Sequence, residues 1–154
     1  MILLKWLASF KIPKKTFELA KSIFEFKKEK GEIFETITQV FKRVLNILKQ
    51  AGDFEICALN RDELKSEFER NLFEKLEEIS SQVKKNFEAG DYKKALSLIS
   101  KISLPLNDFF DNVFVMDKDE RIKNLRLSLL FEVKKLFSLF GEFDKLKKRI
   151  EGSG

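Results

Sequence analysis

The chain has 154 residues, 44% hydrophobic and 36% charged, with a net charge of +5. It contains no histidine and one cysteine, which excludes Ser-His-Asp and Cys-His catalysis, histidine metal sites and any internal disulfide. Phosphate-binding loops, dinucleotide glycine motifs and CxxC pairs are also missing from the sequence, so no catalytic residue, metal site or cofactor site is expected in this chain.

The length predicts one domain over residues 1–150, followed by a flexible tail at 151–154. With 17 Phe against one Trp and one Tyr, the interior should be rich in phenylalanine. Six Gly and two Pro leave little turn punctuation for an all-β fold. A modest positive charge suits an RNA-facing surface and equally an ordinary lysine-rich one. Cys57, between Ile56 and Ala58, reads as a small buried apolar residue in a cytoplasmic protein.

In chain order, "MILLKWLASF" is too short for a membrane span and lacks the layout of a signal peptide. A short helix laying Leu3, Leu4 and Leu7 on the core is expected there. Pro13 suits a helix start, and Phe17, Ala20, Ile23 and Phe24 recur at helical spacing toward Gly31. A second helix is predicted from about Ile33 to Ala51, with Gly52 as its cap and Phe34, Ile37, Phe41, Val44, Leu45, Leu48 and Ala51 as its core stripe. Asn60 and Glu63 suggest a capping box for a long helix carrying Leu64, Phe68, Leu72, Leu76, Ile79, Val83 and Phe87.

Gly90 should end that helix and Asp91 cap the next, which turns Tyr92, Ala95, Leu96, Ile99 and Ile102 inward. Its "AGDYKKALSLI" has the look of a tetratricopeptide turn, but no second copy occurs at the required period. Pro105 is expected to open a helix or turn through Val115, burying Phe109, Phe110, Val113 and Phe114. Asp117 or Asp119 then caps a helix from about Glu120 to Phe140, stopped by Gly141. The prediction is an all-α bundle of about six to eight helices.

Two features are not generic. On the second helix, Gln39, Lys42, Arg43, Asn46, Lys49 and Gln50 share one face with no acid after Glu35, whereas elsewhere Glu and Lys alternate as on solvated helices. Cations meet phosphates, and amides pair with base edges or 2′-hydroxyls. Arg126, in turn, falls within the apolar stripe of the last helix. A buried guanidinium requires a carboxylate, and Asp108, Asp111, Asp117 and Asp119 are the acids nearest in sequence.

The segments "FKRVLNIL" and "AGDYKKALSLISKISLPLNDFFDNVFVMDKDERIKNLRLSLLFEVKKLF" resemble the C-terminal anticodon-binding domain of bacterial glycyl-tRNA synthetase β subunits. That is a helical, DALR-type domain shared in fold with arginyl-tRNA synthetase. Lys42, Arg43, Asn46, Ile47 and Leu48 fit the family's first element; Pro105, Phe109, Phe110, Asp111, Val113, Val115 and Met116 fit the central one. The chain has Asn-Leu-Arg-Leu at 124–127 where the family has Asn-Arg-Leu, a one-residue displacement of Arg126. The resemblance runs from about Leu3 to Leu146 and is weak between Pro13 and Phe34.

The resemblance implies an isolated C-terminal part of a longer β subunit that binds the anticodon stem-loop of glycine tRNA. It implies RNA-binding roles for Gln39, Lys42, Arg43, Asn46, Lys49, Lys123 and Asn124. It also implies an α subunit as partner, reached through the rest of the β subunit, which carries the ATP, glycine and magnesium site of the ligase. A helical protein-interaction module without RNA binding is the alternative.

Overall fold

Residues 13–141 are described by the computed structural model. They form six α-helices: α1 (Lys14–Glu29), α2 (Gly31–Ala51), α3 (Glu67–Glu88), α4 (Tyr92–Ser100), α5 (Ser103–Asn112) and α6 (Glu120–Phe137). Short 3-10 turns lie at Arg61–Glu63 and Ser138–Phe140. No strand occurs among the described residues, and the all-α expectation holds. No described helix is long and apolar enough to cross a membrane. The predicted contacts of Leu3, Leu4 and Leu7 lie outside the described residues.

Leu127, Ser128, Leu129 and Leu130 are consecutive, and each is at most 1% exposed. Successive helical residues point 100° apart, so burial of four in a row means that the middle of α6 is covered on every side. Its cover comes from α2 on one side and α3 on the other, and the same two helices also contact α4 and α5. Helix α1 closes the bundle against α4 and α2. Phe109 of α5 is fully buried, and the Phe41 and Phe137 rings of α2 and α6 stack with centroids 4.3 Å apart.

The core stripes follow the predicted spacing with local corrections. Leu19, Ala20, Ile23 and Phe26 are the buried residues of α1, whereas Phe17 and Phe24 are half-buried. In α2 the buried set is Ile37, Val40, Val44 and Leu48; Leu45, at the stripe's margin, is exposed. Gly90 takes φ +81°, which only glycine adopts without strain. Asp91 then accepts from the Lys94 amide to start α4. Pro105 is the third residue of α5 rather than its first, a position whose missing N–H breaks no intrahelical bond. Cys57 is buried, and its backbone N–H donates to Ser128 Oγ at 2.9 Å.

The start of the long helix differs from expectation. Asn60 caps only the 3-10 turn, accepting from the Asp62 amide. Helix α3 begins at Glu67 under a second capping box: Ser66 Oγ accepts from the Glu69 amide, and Glu69 Oε2 accepts from the Ser66 amide at 2.7 Å. The reason lies in the other oxygen of Glu69. Arg126 Nε donates to Glu69 Oε1 at 2.9 Å, with the carboxylate 2% and the guanidinium 12% exposed. Arg126 Nη1 also donates to the Phe114 carbonyl at 2.6 Å and lies 3.4 Å from Asp117 Oδ2. The principal carboxylate is therefore Glu69, 57 residues earlier, and the nearby acids contribute only Asp117.

Helix α1 is fastened to α4 by Lys93, whose Nζ lies 2.8 Å from Glu25 Oε2 and 3.2 Å from Glu29 Oε1. The hydrogen bond from Lys93 holds the Glu25 carboxyl below the usual glutamate range, and the two glutamates raise Lys93 above the usual lysine range. The Glu25 contribution is complete above the unfolded glutamate pKa and vanishes as pH falls through its lowered folded value. The Lys93 contribution is complete below the unfolded lysine pKa and vanishes as pH rises through its raised one.

Glu69→Ala strands the Arg126 charge in the interior and is expected to cost about 3–5 kcal/mol in urea unfolding. Replacing both residues by apolar ones, E69L with R126M, should recover most of that loss; a double variant no better than E69A rules out the buried pair. Carboxyl NMR titration should place Glu25 below the exposed, unpaired glutamates, with K93M returning it to their range.

Candidate nucleic-acid interface

Helix α2 buries one face against α5 and α6 and turns the other to solvent. Gln39, Lys42, Arg43, Asn46, Lys49 and Gln50 are all exposed, and with 3.6 residues per turn they form one continuous ridge of about three turns. Val44, with no exposure, and Leu48 anchor the opposite side, so the ridge is carried by a helix packed along its length rather than by a loop.

The ridge carries no ion pair, whereas several other surface cations meet acids: Lys75 with Glu78 at 2.8 Å, Lys135 with Glu132 at 2.8 Å, Arg121 with Glu63 at 2.6 Å. Among the described residues, no carboxylate lies within salt-bridge distance of Lys42, Arg43 or Lys49. The Arg43 guanidinium instead lies over the Phe110 ring of α5, 4.5 Å from its centroid. Stacking fixes the guanidinium plane while leaving its charge uncompensated, an arrangement suited to a phosphate or a flat base. Gln39 Nε2 donates to Glu35 Oε1 at a long 3.4 Å, and its carbonyl oxygen stays exposed with the side chain.

The structure places five of the seven predicted contact residues, Gln39, Lys42, Arg43, Asn46 and Lys49, on one exposed face together with Gln50, as the helical spacing predicted. Lys123 and Asn124 do not join them. Both sit at the start of α6, alongside the 57–63 segment to which Arg121 is paired. Lys123 Nζ lies 3.1 Å from Glu120. Asn124 is 9% exposed, which leaves its amide almost no surface for a ligand. The helix is covered all round in its middle, and the run Leu125, Leu127, Leu129 and Leu130 was the sequence signal for that.

The all-helical body and its cationic, amide-bearing ridge suit a helical nucleic-acid-binding domain. The chain matches the DALR anticodon binding domain over residues 37–141 and belongs to that family. The matched span begins beyond Pro13–Phe34, where the resemblance is weak, and contains all of the ridge.

The chain is similar to the glycine–tRNA ligase β subunit of Rickettsia africae, 40% identical over 109 residues, which are 68% of this chain and 16% of that protein. The β subunits of Thermodesulfovibrio yellowstonii and a Sulfurihydrogenibium species are 36% and 41% identical over 104 residues, 68% of this chain and 15% of theirs. The matched part thus spans about one sixth of the length of these relatives.

Because the ridge makes no structural ion pairs, K42E and K49E are each expected to shift unfolding by no more than about 0.5 kcal/mol. R43A should cost at most about 1 kcal/mol through loss of the Phe110 stack. A larger loss in urea denaturation for either lysine variant would assign that side chain to the fold rather than to a ligand.

Proposed function

We propose that this chain is the tRNA-reading part of a glycine–tRNA ligase β subunit, docking the anticodon stem-loop of glycine tRNA on the α2 ridge. The observation that carries this reading is the set of exposed, unpaired cations and amides on one packed helix inside the segment matching the DALR family. On this reading the chain is a non-catalytic part of the ligase in the cytoplasm. ATP, glycine and magnesium act at the α subunit, which the rest of the β subunit would contact.

The chemistry divides between the two side-chain types. Lys42, Arg43 and Lys49 meet stem-loop phosphates, contacts that set register without reading sequence. Glycine anticodons end in two cytosines, each offering an N4 amino donor beside N3 and O2 acceptors. An amide carries both a donor and an acceptor, so Gln39, Asn46 or Gln50 complements that edge, whereas a lysine can only donate to it. Bases must be unstacked to be read in this way, which a loop allows and an A-form stem does not.

Electrophoretic shift of the full chain with glycine tRNA, against the same tRNA with an altered anticodon, tests the reading. Wild type should favour the glycine anticodon and weaken steeply with salt. K42E with R43E should weaken binding to both RNAs and reduce the salt slope by roughly one per lost phosphate contact. N46A should instead narrow the preference between anticodons at unchanged slope. A helical protein-interaction module would show neither discrimination nor salt dependence, and that result overturns the proposal.

A further inference from the structure

Helix α5 ends at Asn112, and the next residues adopt a different period. Val113 is extended, with φ −122° and ψ 127°. Val113 and Val115 are buried, while Phe114 is 73% and Met116 40% exposed. Past the helix end, Phe114 falls between two buried valines and faces outward. Phe114 was expected to be buried with Phe110; the end of the helix turns it to solvent instead.

A single exposed apolar side chain is ordinary. Phe114 differs in how its backbone is held. Its carbonyl accepts from Arg126 Nη1 at 2.6 Å, and that guanidinium is bound in turn to buried Glu69 and to Asp117. Asp117 Oδ1 accepts from the Asp119 amide, and Asp119 caps α6. The ring is thus exposed on a backbone fastened to a buried charge cluster, and the two acids that follow it are engaged within the protein.

Its place relative to the ridge follows from the packing of α2 and α5. Ile33 and Thr36 of α2 face Ser103, Leu104 and Asn107 of α5 across a cleft of about 490 Å³, and one step further along both helices Arg43 covers Phe110. The two helices therefore advance in parallel. Phe114 follows Phe110 by four residues, so the segment after Asn112 leaves α5 next to the contact that Arg43 of the ridge makes with Phe110.

We propose that Phe114, with Met116 beside it, is a stacking platform for one unpaired nucleobase of the RNA held on the α2 ridge. A base stacked on Phe114 would lie on the α5 side of the ridge, next to the Arg43–Phe110 contact. Stacking accepts any base, so the platform supplies affinity and orientation and leaves sequence preference to the amides. RNA is favoured as occupant by the unpaired cations of the ridge that the platform adjoins. This inference rests on the proposed RNA binding of the ridge.

The test measures binding of an anticodon stem-loop RNA carrying 2-aminopurine in its loop to the full chain and its Phe114 variants. Phe114 is exposed, so F114A is expected to melt with wild type while binding roughly 5- to 140-fold more weakly at an unchanged salt slope. F114W should match or exceed wild type and quench 2-aminopurine as wild type does. F114L should lose the quenching despite its apolar bulk. F114A binding as wild type, while K42E with R43E binds weakly, overturns the platform, leaves the ridge reading intact and points to a protein surface as occupant. Binding as tight as wild type by F114A and by K42E with R43E alike overturns both.

Discussion

The buried ion pair between Glu69 and Arg126 is the constraint on which the architecture turns. One carboxylate does two jobs: one oxygen completes the capping box at the start of α3, and the other binds a guanidinium from α6. Desolvating two charges costs several kcal/mol each, and the pair recovers that cost only where further hydrogen bonds complete the cluster. The Ser66 amide, the Phe114 carbonyl and Asp117 supply them. Three distant stretches are thereby held at one point: the beginning of α3, the segment after α5, and the first turns of α6. A hydrophobic contact at the same place would stabilise without direction; a guanidinium fork specifies where each partner atom must lie.

The ridge depends on this frame indirectly. Helix α2 reaches no carboxylate of the cluster, yet the surfaces that bury its apolar side are α5 and α6, and both end or begin at the segment that Arg126 pins. A ligand-binding helix gains from such support because a pre-positioned side chain loses less freedom when it binds. Arg43 illustrates this most directly: lying over Phe110, it gives up much of its motion before any partner arrives. Lys42 and Lys49 keep theirs, as suits point charges that must follow a phosphate backbone rather than match one plane.

Helical periodicity made most of the fold legible. The stripes of α2 through α6 recur at spacing three and four, and Gly90-Asp91 punctuates one junction with a glycine that takes positive φ and an aspartate that caps. What sequence alone did not decide was non-local or a change of period. Asn60 with Glu63 and Ser66 with Glu69 satisfy the same local capping rule, and only the partner of Glu69, 57 residues away, selects the second. Phe114 stands four residues after Phe110, which in a continuing helix means the same face. The helix ends two residues too soon for that, and the period of two then points Phe114 outward. Asn124 took its contact role from the family resemblance, but at 9% exposure it lies on the packed side of α6, and Arg121 rather than Asn124 reaches solvent there. The exposure of the α2 ridge was readable from sequence, because its polar residues recur on one helical face opposite the apolar stripe.

The separation between an anchored aromatic and a charged helix also bears on how such a surface can be selective. Coulomb attraction to phosphates is long-ranged and blind to sequence; screened over about 8–10 Å in physiological salt, it gathers any RNA within reach. Discrimination requires short-range groups that act only after the backbone is seated, and those groups must not shift when a wrong base is offered. Amides on a packed helix meet that condition, since Gln39, Asn46 and Gln50 can rotate but their backbone cannot retreat from the core that Val44 and Leu48 hold. A wrong base would then leave a donor or acceptor unpaired at a contact it cannot escape, and that penalty, rather than the strength of the correct contact, sets the preference. On the proposed reading, rigidity supplied by the buried pair and the stacked phenylalanines would be a part of recognition, although no residue of that core would touch RNA.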